Sequence, residues 1–375
     1  MKRILFFIPN LSVGGAEKVL VNLVNNIDRK QFDITVQTLF PGGINEQFLK
    51  KDIRYKACFK KTFKGNSQIL KLFKPETLYK RFITEHFDII ISYLEGPTAR
   101  IVAGCNDKDI KKICWIHCRF ESPDTAKIGF RNFAEAKELY SRFDNIVCVS
   151  EWVKNYFCQT MDYYGDIEVL YNTNETEEVY QKSFEPVEDV IFDNDCLNLC
   201  SVGKIAPIKG FDRLARIHKK LLDDGIKNKI YILGEGYQRD EITSYLKANG
   251  LEETFIFLGY HTNPYKYVSK CDLYVCSSIS EGFSTAATEA LIVGTPVCTV
   301  EVSGMKEMLG EHNEYGVVTD NNEEALYEGV KSLLKNPEQL AYYKKQAQIR
   351  GKYFSTENTV RAVEDMLNRV YRGYR

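Results

Sequence analysis

The chain has 375 residues, 44% hydrophobic and 27% charged, with a net charge of −1. That length supports two domains with full cores, and that composition excludes a disordered chain. The near-zero net charge excludes general nucleic-acid binding driven by bulk charge, and no run approaches the roughly 18 apolar residues of a membrane span.

Short apolar runs alternate with amphipathic stretches, the pattern of an α/β chain with parallel sheets. Ile4–Ile8 reads as a strand, too short for the apolar core of a secretory leader, and Glu17–Ile27 reads as a helix. Further strands are expected at Ile34–Leu39, Ile89–Tyr93, Lys112–Ile116 and Asn145–Val149. A polar, acidic stretch follows, and a second series of strands runs through Leu197–Val202, Lys229–Leu233, Thr254–Leu258, Leu273–Cys276 and Pro296–Val300. The pattern predicts two doubly wound units in tandem: residues 1–172, a linker at 173–195, residues 196–354, and a terminal helix over 355–375. Ligands of such sheets lie outside the carboxyl ends of the strands, so the two units are expected to share a central cleft.

Charge is unevenly spread. Lys50 to Arg81 holds eleven Lys/Arg and two Asp/Glu, a local charge of +9 that leaves −10 for the rest. Within it Lys60, Lys61, Lys64, Lys71 and Lys74 interleave with aromatic and aliphatic residues. Two readings stand: a peripheral face for an anionic membrane, or a solvated face over the core. No RNA-binding module accompanies the charge, so no nucleic-acid partner is expected. The eleven cysteines show no zinc-ribbon spacing and read as reduced, buried small hydrophobes in a cytoplasmic chain.

The most informative string is Ser277-Ser278-Ile279-Ser280-Glu281-Gly282-Phe283-Ser284-Thr285-Ala286-Ala287-Thr288-Glu289-Ala290-Leu291. It places one carboxylate just before a helix and another inside it. Ser284 can cap that helix, and the helix start offers N–H donors and a positive dipole end to a phosphate. The N–H groups of Phe283, Ser284 and Thr285 would then face a phosphorylated sugar. This string, followed by Gly294-Thr295-Pro296-Val297, resembles the E-x7-E signature of GT-B retaining glycosyltransferases, specifically glycosyltransferase family 4.

Other strings match that family in chain order, most strongly from Ser201 to Val297. Gly14-Gly15, after the first strand, matches a family loop near donor and acceptor. By residue type alone it is a place where backbone N–H groups can approach a phosphate or simply a helix-entry turn. It is not a full G-x-G-x-x-G, so a nicotinamide cofactor is not expected. Lys209 matches the family lysine that binds the leaving diphosphate, while Lys204 stands where the family usually has arginine. Charge is kept there but the planar two-pronged fork is lost. His117, at a strand end, matches a histidine placed against the donor sugar; by itself it also fits a satisfied core histidine. Gly234-Glu235-Gly236 matches a loop beside the nucleotide. Tyr260 ends the next strand, where it can stack on the base or simply lie exposed.

The resemblance implies a GT-B fold: two Rossmann-like units, with the last helix crossing back to the first. It also implies transfer of a sugar, with retention, from a nucleotide donor, most often a UDP-sugar, to a glycan acceptor. That acceptor is expected to be lipid-linked, in capsule, exopolysaccharide or cell-surface glycan synthesis. Glu281 would face the sugar, Glu289 the donor ribose, and Lys204 and Lys209 the diphosphate. The implied enzyme is cytoplasmic, peripheral to the membrane if the basic face binds it, and needs no cofactor or metal. Asp193-Asn194-Asp195 resembles the D-x-D metal signature of another glycosyltransferase fold but falls in the acidic linker. Two other readings remain: a non-catalytic GT-B partner that binds a glycan, and a nucleotide-sugar epimerase of the same architecture.

Overall fold

The computed structural model describes all residues except Val13, Lys64, Asn194, Ser303, Tyr374 and Arg375. Lys64 of the basic stretch therefore lies outside the described residues. The chain divides into two compact units, Met1–Thr173 with Thr356–Arg375, and Asn174–Ser355.

The first unit is built on a seven-stranded sheet. Its strands are β1 (Lys2–Ile8), β2 (Phe32–Thr38), β3 (Arg54–Ala57), β4 (Ile89–Ser92), β5 (Lys111–Ile116), β6 (Asn145–Cys148) and β7 (Ile167–Val169). The order is β3-β2-β1-β4-β5-β6-β7, and every pairing is parallel. Central strands of a parallel sheet are covered on both faces and read as unbroken apolar runs. Ile4 to Ile8 and Ile89 to Ile91 accordingly have no exposed surface.

The second unit carries β8 (Leu197–Val202), β9 (Asn228–Leu233), β10 (Phe255–Gly259), β11 (Leu273–Cys276), β12 (Val297–Val300) and β13 (Val317–Thr319). Here the order is β10-β9-β8-β11-β12-β13, again all parallel. Strand order reverses between β1 and β4 in one sheet and between β8 and β11 in the other. Those reversals open a crevice at the carboxyl ends, where such sheets take ligands. Gly14-Gly15 and Glu95 follow β1 and β4; Lys209 and Glu281 follow β8 and β11.

The terminal helix Thr356–Arg372 belongs to the first unit. Glu364 accepts from the Asp28 N–H at 2.7 Å, and Arg369 pairs with Glu168 at 2.6 Å. The acidic stretch read as a linker is more than that. It contains the helix Thr176–Lys182, which lies in the second unit. Its glutamates face solvent, but Val179 is buried with Tyr265 and Ile292. One buried valine among glutamates is too weak a period to announce a helix from sequence.

Candidate active site

Lys209 and Glu281 sit on the loops that leave the two strands at the second unit's reversal. Lys209 Nζ lies 2.6 Å from Glu281 Oε1, and Ser278 Oγ donates to the same oxygen at 2.5 Å. Glu281 Oε2 is left without a protein partner among the described residues. Burial works against the Lys209 ammonium, but the charge and hydrogen bond of Glu281 outweigh it and hold its pKa above the ordinary lysine value.

The two loops are fastened along their length. Ser277 Oγ donates to the Lys209 carbonyl at 3.0 Å, and the Ile279 N–H donates to the Ile208 carbonyl at 2.8 Å. Arg213, one turn into the helix Phe211–Asp223, is buried. Its guanidinium donates to the carbonyls of Ser277 at 2.6 Å and Ser278 at 2.7 Å, and to the Asn321 side-chain oxygen at 3.0 Å. Gly210 joins the loop to that helix at φ +63°, where a Cβ would stand 2.2 Å from the Ser277 carbonyl. Glycine is required by both the left-handed backbone and the close approach.

Ser284 caps the helix Thr285–Ile292, its Oγ accepting from the Ala287 N–H at 3.3 Å. The N–H groups of Thr285 and Ala286 are left without an intrahelical acceptor. The Phe283 side chain is not a ligand group: it is 5% exposed and packs edge-on to Phe354. Glu289, inside the helix, is buried, and Tyr265 Oη donates to its Oε1 at 3.1 Å. Lys204 is exposed. Gly234 and Gly236 let their strand-end loop lie against the one after β8, since a Cβ on either would stand within 2.0 Å of a carbonyl oxygen there. Glu235 pairs with Arg239 at 3.1 Å, and Tyr260 is exposed.

In the first unit, Gly14 is the N-cap of the helix Gly15–Asn26 without a side-chain cap. The Glu17 carboxyl turns back over this entry, and burial raises its pKa. His117 ends β5 between the rings of Tyr93 and Trp115, with centroids 4.9 and 6.5 Å away. Glu95 accepts from the His117 N–H at 2.9 Å. Burial lowers the imidazole pKa to about 3, so the ring is neutral near pH 7, and its Nε2 has no partner among the described residues. Lys60, Lys61 and Lys74 are exposed and Lys71 is half-buried. Among the described residues, no three His, Cys, Asp or Glu side chains gather as a metal site.

Residues 13–178 match the family described as Glycosyltransferase Family 4, and residues 188–350 match Glycosyl transferases group 1. The chain belongs to glycosyltransferase family 4. A relative, the N-acetylgalactosamine-N,N'-diacetylbacillosaminyl-diphospho-undecaprenol 4-alpha-N-acetylgalactosaminyltransferase of Campylobacter jejuni, is 28% identical over 94% of this chain and 96% of its own. Two solved structures share the GT-B fold. Anabaena HepE in complex with UDP superposes with a TM-score of 0.77 at 19% identity, covering 98% of this chain and 100% of its own. Sucrose-phosphate synthase from Thermosynechococcus elongatus gives 0.79 at 14% identity, with both chains fully covered.

For a glycosyltransferase of this family, sequence reading misses the residues that hold the site in shape. Arg213, Asn321, Tyr265 and Glu95 touch the expected residues only through tertiary contacts. The one signal open to sequence was Arg213 itself, an arginine four residues from Lys209 on the helix that follows it.

Proposed function

We propose that this glycosyltransferase transfers a sugar, with retention, from a UDP-sugar to a lipid-linked glycan acceptor at an anionic membrane face, in capsule, exopolysaccharide or cell-surface glycan synthesis. The observation that carries the reading is the Lys209–Glu281 pair, 2.6 Å apart, on the loops at the strand reversal. As the anomeric bond to the diphosphate breaks, negative charge grows on the leaving oxygens. Lys209, Lys204 and the first-turn N–H groups of Thr285 and Ala286 are the groups that would meet it. Glu281 Oε2 would take a sugar hydroxyl and Glu289 the ribose. His117, neutral, would act as a hydrogen-bonding group toward the sugar. The acceptor proton would pass to a phosphate oxygen, so no second carboxylate of the glycosidase kind is required. The reading invokes no metal, because the ammonium groups and helix tip supply the positive charge. The lipid-linked acceptor follows the Campylobacter relative, and UDP follows HepE.

The membrane part rests on the helix Asn66–Leu72. Ile69, Leu72 and Phe73 are exposed there, in the stretch that carries lysines 60, 61, 71 and 74. Arg100 and Arg131 donate to the carbonyls of Leu70, Lys71, Leu72 and Phe73, so the helix end is held with Leu70 buried and Leu72 and Phe73 exposed.

UDP release from a panel of nucleotide sugars, with and without undecaprenyl-diphosphate-linked glycan, tests the reaction. Glu281→Gln and Lys209→Ala should abolish release while the protein stays folded; unchanged rates in both discard the site. The anomeric configuration of the product decides retention. Sedimentation with phosphatidylglycerol vesicles tests the membrane contact, and Leu72→Ser with Phe73→Ser should abolish it.

A further inference from the structure

Glu281 Oε1 takes two donors, and they are not equivalent. The Lys209 ammonium, 2.6 Å away, ends a flexible stem, with 27% of its side chain accessible. Its three N–H groups leave it free to serve a phosphate as well. Ser278 is only 3% exposed, and its Oγ donates to the same oxygen at 2.5 Å. The main chain beneath it is tied on both sides. Arg213 donates to the carbonyls of Ser277 at 2.6 Å and Ser278 at 2.7 Å, and the Ile279 N–H donates to the Ile208 carbonyl at 2.8 Å.

The direction of the serine hydroxyl is set as well. A carboxylate paired with an ammonium only accepts. Behind Ser278, the thiol of Cys276 at the end of β11 donates to Oγ at 3.6 Å. Cys276 is buried; burial first, and then the charge of Glu281, push its pKa up, so the thiol keeps the proton that it donates. A chain of donors therefore runs from Cys276 through Ser278 to Glu281 Oε1. Both donors to Glu281 end on that oxygen, and Oε2 has no partner among the described residues.

We propose that Ser278 is the positioning residue for Glu281: it holds Oε1 so that Oε2 presents a fixed acceptor to one hydroxyl of the donor sugar, and it keeps that hold when the Lys209 ammonium turns to the diphosphate. A carboxylate with one oxygen anchored loses less rotational freedom on binding and gives a directional contact. Selectivity for that sugar hydroxyl then depends on Ser278, which touches no part of the donor. The inference rests on the assignment of Glu281 to a sugar hydroxyl.

The test is calorimetric binding to the full chain, without acceptor. The ligands are UDP, the tightest binder among UDP-glucose, UDP-galactose and their N-acetyl forms, and the 3-, 4- and 6-deoxy analogues of that donor. The wild type should prefer the parent sugar over one analogue. Ser278→Ala should shrink that preference by roughly three- to tenfold, the worth of one hydrogen bond, while affinity for UDP and for that analogue stays unchanged. Equal weakening of all three would mark a role limited to folding and overturn the proposal. Ser278→Thr, which keeps the hydroxyl, should retain the preference; its loss there as in Ser278→Ala would assign the effect to packing and overturn the proposal too. Ser278→Cys keeps the size but offers a weaker donor. It should shrink the preference in the same sense, and it carries the test if Ser278→Ala does not fold. Glu281→Ala separates the two layers. If it leaves the preference intact, Glu281 meets no sugar hydroxyl and the assignment beneath the inference fails. If it abolishes the preference while Ser278→Ala or Ser278→Cys retains it in full, the assignment stands and the positioning role is overturned. A wild type that binds no UDP-sugar, or binds parent and analogues alike, overturns both.

Discussion

Replacing Lys209 by methionine gives the sharpest separation between holding the site together and running the reaction. The ammonium is one of two donors on Glu281 Oε1; Ser278 Oγ is the other. The pair is neither exposed nor sealed, with 27% of the Lys209 side chain and 12% of the Glu281 side chain accessible. Exposed pairs contribute below about 1 kcal/mol, and breaking a fully buried one costs about 3–5 kcal/mol. Lys209→Met should therefore cost about 1–2 kcal/mol, most of it from a half-buried carboxylate that has lost its charge partner. Adding Glu281→Gln removes that stranded charge and should restore about 1 kcal/mol.

Turnover should behave differently. A positive group aimed at developing oxyanion charge is worth about 100- to 1000-fold in rate, and neutralising Glu281 does nothing to replace it. The double variant should be nearly as stable as the wild type in urea melts of the full chain, yet release UDP from its preferred donor at least about 100-fold more slowly. Recovery of rate together with stability would mean that the ion pair serves only to hold the loops. A rate within about threefold of wild type in Lys209→Met alone would refute the charge argument outright.

Three further outcomes follow from the geometry. Gly210→Ala should cost at least about 2 kcal/mol in urea melts, because it adds left-handed strain to a Cβ 2.2 Å from the Ser277 carbonyl. Lys204→Arg should tighten UDP binding by roughly three- to tenfold in calorimetry, since a guanidinium can grip two phosphate oxygens at once; looser or equal binding would place residue 204 away from the diphosphate. His117 has a folded pKa near 3 against about 6.5 unfolded. The unfolded chain takes up that proton first, so the group's stabilisation is complete above pH 6.5 and is lost as pH falls toward 3. Between pH 7 and pH 5 the loss is about 2 kcal/mol, and His117→Asn should flatten the acid limb of the melting profile by that amount.

The central strands were legible because a strand covered on both faces must be apolar throughout: Ile4–Ile8, Ile89–Ile91 and Leu273–Cys276 announce themselves. The three strands that sequence reading passes over are Arg54–Ala57, Ile167–Val169 and Val317–Thr319. All three lie at sheet edges, paired on one side only, and their short runs lack a buried period. Lys209, Glu281, Ser284 and Glu289 were legible because strand, turn and helix start follow one another within a few residues. The supports were not: Arg213 reaches Ser277 across 64 positions and Tyr265 reaches Glu289 across 24.

That division has a physical cause. A charged group that meets a phosphate must lie on a loop at a strand's carboxyl end, so its place in sequence is tied to the strand before it. A group that only fixes such a loop can come from any element packed nearby. The second unit uses this freedom at both of its carboxylates. Arg213 gives its N–H groups to the main chain that carries Glu281, and Tyr265 gives its hydroxyl to Glu289 directly. Each anchor is buried, so neither side chain must be ordered when a ligand arrives. The entropy of ordering the loop that carries Glu281 and the Glu289 side chain is met in folding, and would not be charged to the binding of a nucleotide. Loss of either anchor should consequently lower the heat of UDP binding less than it lowers affinity, a difference that calorimetric titrations of Tyr265→Phe would show.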